Sequence, residues 1–249
     1  MKRENREPTI LVKGLRKSFG EQTVLNGIDL TVGRGETLAV LGRSGTGKSV
    51  LLKLLIGLQA PDSGSIHING REITALPLDE LNEVRKKVGF LFQQAALYDS
   101  LTVEENVAFP LNRHTKMSVA ERSDRVRELL SSVGMAGDLE KLPSQISGGM
   151  QKRVGLARAL ALEPEILLCD EPTAGLDPIT SREIGELILE MQKARHMTSV
   201  VVTHDVHGAK AFSDRLALMQ EGTILAEGTA GDLQNSRNEF VVQFFADAS

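Results

Sequence analysis

Thr37-Leu38-Ala39-Val40-Leu41-Gly42-Arg43-Ser44-Gly45-Thr46-Gly47-Lys48-Ser49 is the stretch that decides the fold. It begins as a short apolar run ending in glycine, the pattern of a buried strand. The leucine-rich segment after it, Gly47 to Leu58, reads as a helix. The turn between them fits G-x-x-x-x-G-K-S in the strand-then-helix context that a phosphate-binding loop requires. Glycines let the backbone curl until its N–H groups converge on phosphate oxygens. The helix N-terminus adds partial positive charge at the same point. Gly42, Arg43, Ser44, Gly45, Thr46 and Gly47 are therefore the expected cradle. Lys48 is placed to reach the β- and γ-phosphates, and the Ser49 hydroxyl to ligate Mg²⁺.

Outward from that loop, short β-rich runs alternate with helical stretches. Ile10 to Phe19 and Ile28 to Val32 read as strands with an antiparallel-looking arrangement. Ser65-Ile66-His67-Ile68 runs into the tight-turn pair Asn69-Gly70. Val88 to Phe92 reads as another buried strand. The stretch from about Thr102 to Gly134 is helical, with a capping box at Ser118-Val119-Ala120-Glu121 opening a helix that Gly134 closes. Ile166 to Cys169 and Ser199 to Val202 are apolar strands flanking a helical run from Pro178 to about Arg195, and that β–α–β order implies a parallel sheet. The tail is expected to hold a strand pair about Glu221-Gly222 and two short helices. The expected architecture is a single α/β nucleotide-binding domain over 1–249, with an inserted α-helical subdomain at about 95–160 and a C-terminal helical tail at about 230–249.

Composition sets the outer limits. The chain has 249 residues, 29 Lys plus Arg against 33 Asp plus Glu, and a formal charge of −4. Its 41% hydrophobic and 25% charged content is that of an ordinary soluble protein. The acidic balance argues against a dedicated nucleic-acid binder. No apolar run approaches the ~18 residues that span a bilayer. The charged start, Met1-Lys2-Arg3-Glu4-Asn5-Arg6, does not read as a signal peptide. A lone Cys169, read as a buried strand residue, excludes an internal disulfide and suits a reducing cytoplasm.

Two further segments carry chemistry. Ile166-Leu167-Leu168-Cys169-Asp170-Glu171 is an apolar strand that delivers two acids at its C-terminal end, where α/β sheets hold their ligands. Asp170 is the expected Mg²⁺ carboxylate, direct or outer-sphere, and Glu171 the group that polarises an attacking water. Ile146-Ser147-Gly148-Gly149-Met150-Gln151 offers a hydroxyl and free N–H groups at a helix start, a second anion-binding terminus. One nucleotide does not need two such cradles in one subunit. Two copies placed head to tail would each complete the other's site.

On these residues the chain resembles the ATP-binding-cassette (ABC) ATPase family over roughly residues 8 to 235. The resemblance implies a P-loop NTPase fold of the ABC type, with a mixed β-sheet core, an antiparallel β edge and the helical insertion. It also implies ATP hydrolysis with ATP and Mg²⁺ bound. Phe19, a core strand residue when read alone, matches the aromatic that stacks on adenine. Gln93 matches the glutamine loop that senses Mg²⁺ and faces the transport partner. Asp177, in Ala174-Gly175-Leu176-Asp177, matches the loop that crosses to the other subunit. His204, at the end of Val200-Val201-Val202-Thr203, matches the switch histidine that contacts γ-phosphate. His204 and His207 also read as a metal pair, but no carboxylate or cysteine set accompanies them. Ser147, Gly148 and Gly149 are the contacts expected across a homodimer interface.

Met150 stands where the general family pattern has glutamine. Gly148 to Arg153, Phe92 to Tyr98, Val103 to Leu111 and Gly175 to Thr180 look like the ATPases of lipid transporters of the maintenance-of-lipid-asymmetry (Mla) and Mce type. That likeness implies an integral-membrane permease, an Mce-type substrate-binding protein and sometimes a small STAS-domain subunit as partners, with no nucleic acid. The chain would then sit on the cytoplasmic face of the inner membrane, held there through the permease. The runners-up are an importer ATPase for small polar solutes such as amino acids, and a soluble ABC ATPase outside transport. A non-catalytic regulatory subunit conflicts with the presence of Glu171 and His204. Finally, Phe240, Val241, Phe244 and Phe245 fall at i, i+4 spacings, and three of the eight phenylalanines lie in the last ten residues. Such an apolar face must be buried, on its own domain or on a partner.

Overall fold

The computed structural model describes residues 8–246. The charged start at 1–6 and the last three residues therefore lie outside the described residues. Two long antiparallel strands, β1 (Ile10–Phe19) and β2 (Gln22–Val32), open the fold. β3 (Thr37–Leu41) comes next and leads through the glycine turn into α1 (Lys48–Leu55). β4 (Ser63–Ile68) pairs with β1, and the Asn69-Gly70 turn, both residues at positive φ, leads to the short β5 (Arg71–Glu72). Next come α2 (Leu78–Lys86) and β6 (Val88–Leu91), then the helices α3 (Val103–His114), α4 (Val119–Ser132) and α5 (Gly148–Ala159). The remainder alternates: β7 (Ile166–Asp170), α6 (Pro178–Ala194), β8 (Thr198–Thr203), α7 (Val206–Phe212), the hairpin β9 (Arg215–Gln220) and β10 (Thr223–Gly228), α8 (Ala230–Gln234) and α9 (Glu239–Ala246).

These strands form two sheets. One is antiparallel, in the order β2-β1-β4-β5. The other is mixed, in the order β10-β9-β3-β8-β7-β6, with parallel pairing throughout except at the β10 edge. This is the expected α/β architecture with a mixed sheet and an antiparallel edge. β3, β7 and β8 are buried at every position. Their alternate side chains feed two cores. Leu38, Val40, Ile166, Leu168, Val200 and Val202 pack under the antiparallel sheet and α1. Ala39, Leu41, Leu167, Cys169 and Val201 pack against the helices of the other face. A strand buried on both faces reads as a continuous apolar run, which is why these three are visible in the sequence.

The structure differs from the sequence reading in several places. The helical stretch from Thr102 to Gly134 does break where the sequence puts a capping box: Ser118 takes the extended backbone of an N-cap and, with Glu121, opens α4. α3 has its own capping box, Thr102 with Glu105. Gly134, at φ +72°, closes α4 as expected. β2 begins at Gln22 rather than Ile28. Its polar first half pairs with β1 through the backbone, past register shifts near Leu15. α2 and α7 have no counterpart in the sequence reading. α2 buries none of its residues, so it leaves no apolar stripe to read. Phe19 is 46% exposed and is not a core residue. At the far end, Val241 and Phe245 are fully buried in the domain's own core, while Phe240 and Phe244 are half-buried. No helix among the described residues is long and apolar enough to cross a membrane.

Candidate functional site

The parallel strands β3, β7 and β8 end on one edge of the mixed sheet, and the site is built from the residues just beyond each strand end. After β3, the loop reaches α1 through Gly45 at φ +82° and Gly47 at φ +100°, left-handed conformations that glycine adopts without strain. A Cβ on Gly47 would lie 2.9 Å from the Val24 carbonyl, and one on Gly42 would lie 2.6 Å from the Met219 carbonyl. Packing therefore demands glycine at both 42 and 47, and at Gly47 φ demands it as well. The Lys48 side chain is 5% exposed and folds back over the loop. Its ammonium donates to the carbonyls of Gly42 (2.8 Å) and Arg43 (3.1 Å) and lies 3.5 Å from Glu171 Oε1.

After β7, Asp170 Oδ1 accepts a 2.7 Å hydrogen bond from the Ser49 hydroxyl. Burial pushes the Asp170 pKa up, and the Ser49 donation works against that shift. Glu171 comes next at φ +45°, a left-handed backbone that costs a non-glycine residue about 1–3 kcal/mol and clusters at functional sites. Its N–H donates to the Val202 carbonyl of β8 at 2.9 Å. Because Asp170 pairs with Val202 across the parallel ladder, the residues beyond each strand end side by side. Glu171 Oε2 accordingly accepts from the His204 backbone N–H at 3.2 Å and lies 2.9 Å from His204 Nδ1. His204 thus engages a carboxylate, and among the described residues no group of three or more His, Cys, Asp or Glu could cage a metal.

A cavity of about 450 Å³ opens over this arrangement, lined by the phosphate-loop residues Arg43 to Ser49 except Thr46, together with Gln93, Glu171 and His204. Asp170 lies beneath it through its bond to Ser49. A second cavity, of about 480 Å³, adjoins the loop elsewhere, between the β9–β10 hairpin and the rings of Phe240 and Phe244. It holds none of the lysine, glutamate and histidine set. A third, of about 410 Å³, lies where the β6 edge meets the helical lobe and is lined by Phe90, Phe92, Tyr98, Phe109 and Arg158 among others.

The remaining sequence candidates lie outside the cavity. Phe19 stands at the exposed end of β1 with the Lys17 ammonium 5.5 Å over its ring. Ser147 caps α5 by accepting from the Met150 N–H. Asp177 caps α6, accepting from the N–H groups of Ile179 and Thr180 at 3.0 Å and from the Thr180 hydroxyl at 2.6 Å. The two helix starts adjoin one another: a Cβ on Gly149 would lie 2.6 Å from Thr180 Cγ2, and one on Gly148 would lie 3.6 Å from Leu176. Apart from Phe19, the candidate residues thus fall into two separate groups within one chain.

Two cations had no role in the sequence reading. Lys152 of α5 is buried and donates to the main-chain carbonyls of Gln93 and Glu171. Arg158, further along α5, donates to the carbonyls of Ala95 and Ala96, both at positive φ, and so holds the loop after Gln93 in shape. Burial lowers the pKa of both. The only signal available was three long cations, Lys152, Arg153 and Arg158, on a helix whose buried residues are mostly small and aliphatic.

The profile of the ABC transporter family matches residues 25–174. The "probable ribonucleotide transport ATP-binding protein mkl" of Mycobacterium tuberculosis is 44% identical over 236 residues, covering 95% of this chain and 66% of that protein. The "methionine import ATP-binding protein MetN" of Brucella abortus is 43% identical over 221 residues, covering 89% of this chain and 60% of the relative. The chain thus spans 60–66% of the length of these curated relatives. Among solved structures, the ATP-binding cassette MJ0796, in a dimeric post-hydrolysis state bound to ADP and Pi, aligns with a TM-score of 0.82 at 36% identity, covering 88% of this chain and 98% of that one. The cbiO1 protein of Clostridium perfringens, part of the ABC transporter complex cbiONQ, aligns with a TM-score of 0.82 at 29% identity, covering 96% and 99%.

Proposed function

The chain belongs to the ABC transporter family, and on that premise we propose that it is the ATP-hydrolysing subunit of a membrane transporter, working as a homodimer beneath a permease. One observation carries this reading: a buried lysine, a hydroxyl–carboxylate pair and a glutamate–histidine pair converge on a single glycine-loop cavity. The loop N–H groups and Lys48 bind the phosphates, and the exposed Phe19 ring offers a face for adenine. Ser49 and Asp170 are hard oxygen donors side by side, the set that suits Mg²⁺ held by one or two protein oxygens plus phosphates. When bound there, Mg²⁺ would neutralise phosphate charge, and Gln93 lines the same cavity.

In the hydrolytic step, Glu171 accepts a proton from water as the water oxygen attacks the γ-phosphorus, and the bond to the ADP oxygen breaks in line. Lys48 and His204 stabilise the charge that spreads over the transferring group. The second group, Ser147, Gly148, Gly149 and Asp177, serves the nucleotide held by the other copy. ATP then acts as the link between two subunits, and its hydrolysis lets them part. Glu171→Gln tests this. It should lower turnover by about 10²–10⁴-fold while ATP binding persists and the subunits stay paired, measured by phosphate release and gel filtration. Normal turnover would overturn the base assignment.

The aromatic cleft between the β6 edge and the helical lobe, beside the glutamine loop, receives a helix of the permease. On this reading the chain works at the cytoplasmic face of the inner membrane, held there through the permease. The segments Gly148 to Arg153 and Phe92 to Tyr98 favour a lipid or phospholipid cargo, with an Mce-type binding protein and a small STAS-domain subunit as companions. The likeness to a methionine import protein favours a second reading, import of small polar solutes. Co-purification from detergent-solubilised membranes separates the two: an Mce-domain partner is expected, and a solute permease with a soluble binding protein would exclude the lipid reading.

A further inference from the structure

From the contacts of its ammonium we infer that Lys152 is a positioning residue, one that ties the Ser147 end of α5 to the main chain of both Gln93 and Glu171. Burying an ammonium is unfavourable unless it is well bonded. Lys152 is 5% exposed, and its partners are two carbonyls from separate elements, the loop after β6 and the end of β7. Both acceptor residues line the phosphate cavity. Glu171 is held at four further points: its N–H by Val202, its carbonyl by the Ala174 N–H, and its carboxylate by Lys48 and His204. Lys152 adds a tether from a separate element, α5, to the carbonyl of a residue whose φ of +45° the local chain does not favour. It lies on the same helix that Ser147 caps, five residues further on. A helix moves as a rigid rod over that distance, so displacement of its first turn shifts the ammonium and both carbonyls together. The inference rests on Glu171 being the base, and it adds how the state of the Ser147 segment reaches that base.

The test replaces the ammonium in the full-length chain. Lys152→Met keeps the length of the side chain and removes the donor. We expect kcat for ATP to fall about 10- to 100-fold, while KM and the affinity for a non-hydrolysable ATP analogue stay within about threefold of wild type. Lys152→Arg, which restores a cationic donor, should recover most of the loss. In the Glu171→Gln background, adding Lys152→Met should cause no further loss of single-turnover rate, since both changes act on one group. A kcat within about twofold of wild type would overturn the inference, as would equal losses in kcat and nucleotide affinity or a multiplicative loss in the double variant. Should Lys152→Met fail to fold, Lys152→Gln is read by the same split: an isolated loss of kcat supports the inference and an unchanged kcat overturns it. If Glu171→Gln itself turns over normally, the base assignment falls; if Glu171→Gln is inactive and Lys152→Met is not, only the role of Lys152 falls.

Discussion

The phosphate cavity and the paired helix starts at Ser147 and Asp177 are made from the same kinds of parts, glycines, hydroxyls and an acid, yet they are finished to different degrees. Around the cavity, the lysine and both acids already have partners in their own chain: Lys48 with Glu171, Asp170 with Ser49, Glu171 with His204. At the helix starts, Ser147 and Asp177 are exposed, and their bonds are local caps within three residues. A region complete in one chain determines what one chain does alone. A region that is only capped is free to meet a second copy without breaking anything of its own.

The widest separation between the two regions is expected from a pair of variants. Lys48→Ala should weaken nucleotide binding by the isolated subunit about 10- to 100-fold, because it removes a charge-assisted contact and leaves Glu171 without its cation. Ser147→Arg should leave that affinity within about threefold and yet reduce turnover to background, because it blocks approach of the second copy. Titration with a fluorescent ATP analogue and a phosphate-release assay read the two effects. If Ser147→Arg hydrolysed ATP normally, the helix starts would have no part in the reaction.

A smaller effect distinguishes the carboxylates themselves. Burial raises Asp170 above the ordinary value of 3.8, whereas the Thr180 hydroxyl and N–H hold Asp177 below it. The signs for stability are opposite. Asp177 contributes stability that is present above the unfolded pKa and is lost as pH falls through its folded value. Asp170 opposes folding as pH rises from the unfolded pKa through its raised folded value, where the native chain retains a proton that the unfolded chain gives up. Carbon-detected NMR titration should place the Asp177 midpoint below 3.8 and the Asp170 midpoint above it. The reverse order would mean that the two sites are not finished as differently as their contacts imply.

Legibility in the sequence divides along the same line, between contacts that need particular residue types and contacts that do not. β3, β7 and β8 are readable because burial on both faces requires unbroken apolar runs, and the loop after β3 because its glycines answer to φ and to close backbone neighbours. The acids ending β7 stand out because a charged pair closes an apolar strand. The first half of β2 does not stand out, since Gln22, Thr23 and Asn26 pair through main-chain groups. Lys152 and Arg158 are hidden for a related reason: their acceptors are the carbonyls of Gln93, Glu171, Ala95 and Ala96, and every residue type carries a carbonyl. The exposure of Phe19 is equally unreadable, because it depends on where β1 ends against its sheet. In the last helix, the spacing of Val241 and Phe245 shows that a face is buried but not what covers it; that depends on how α8 and α9 return to the domain.

Cys169 lies one residue before Asp170, buried on every side, and its thiol is pushed up to about 12. Only the thiolate reacts with oxidants and alkylating agents. The chain's single sulfhydryl is therefore silent in the native protein although it adjoins the phosphate site. The molecule thus carries an internal clock: the rate at which this thiol is modified reports how often the middle of the parallel sheet opens to solvent.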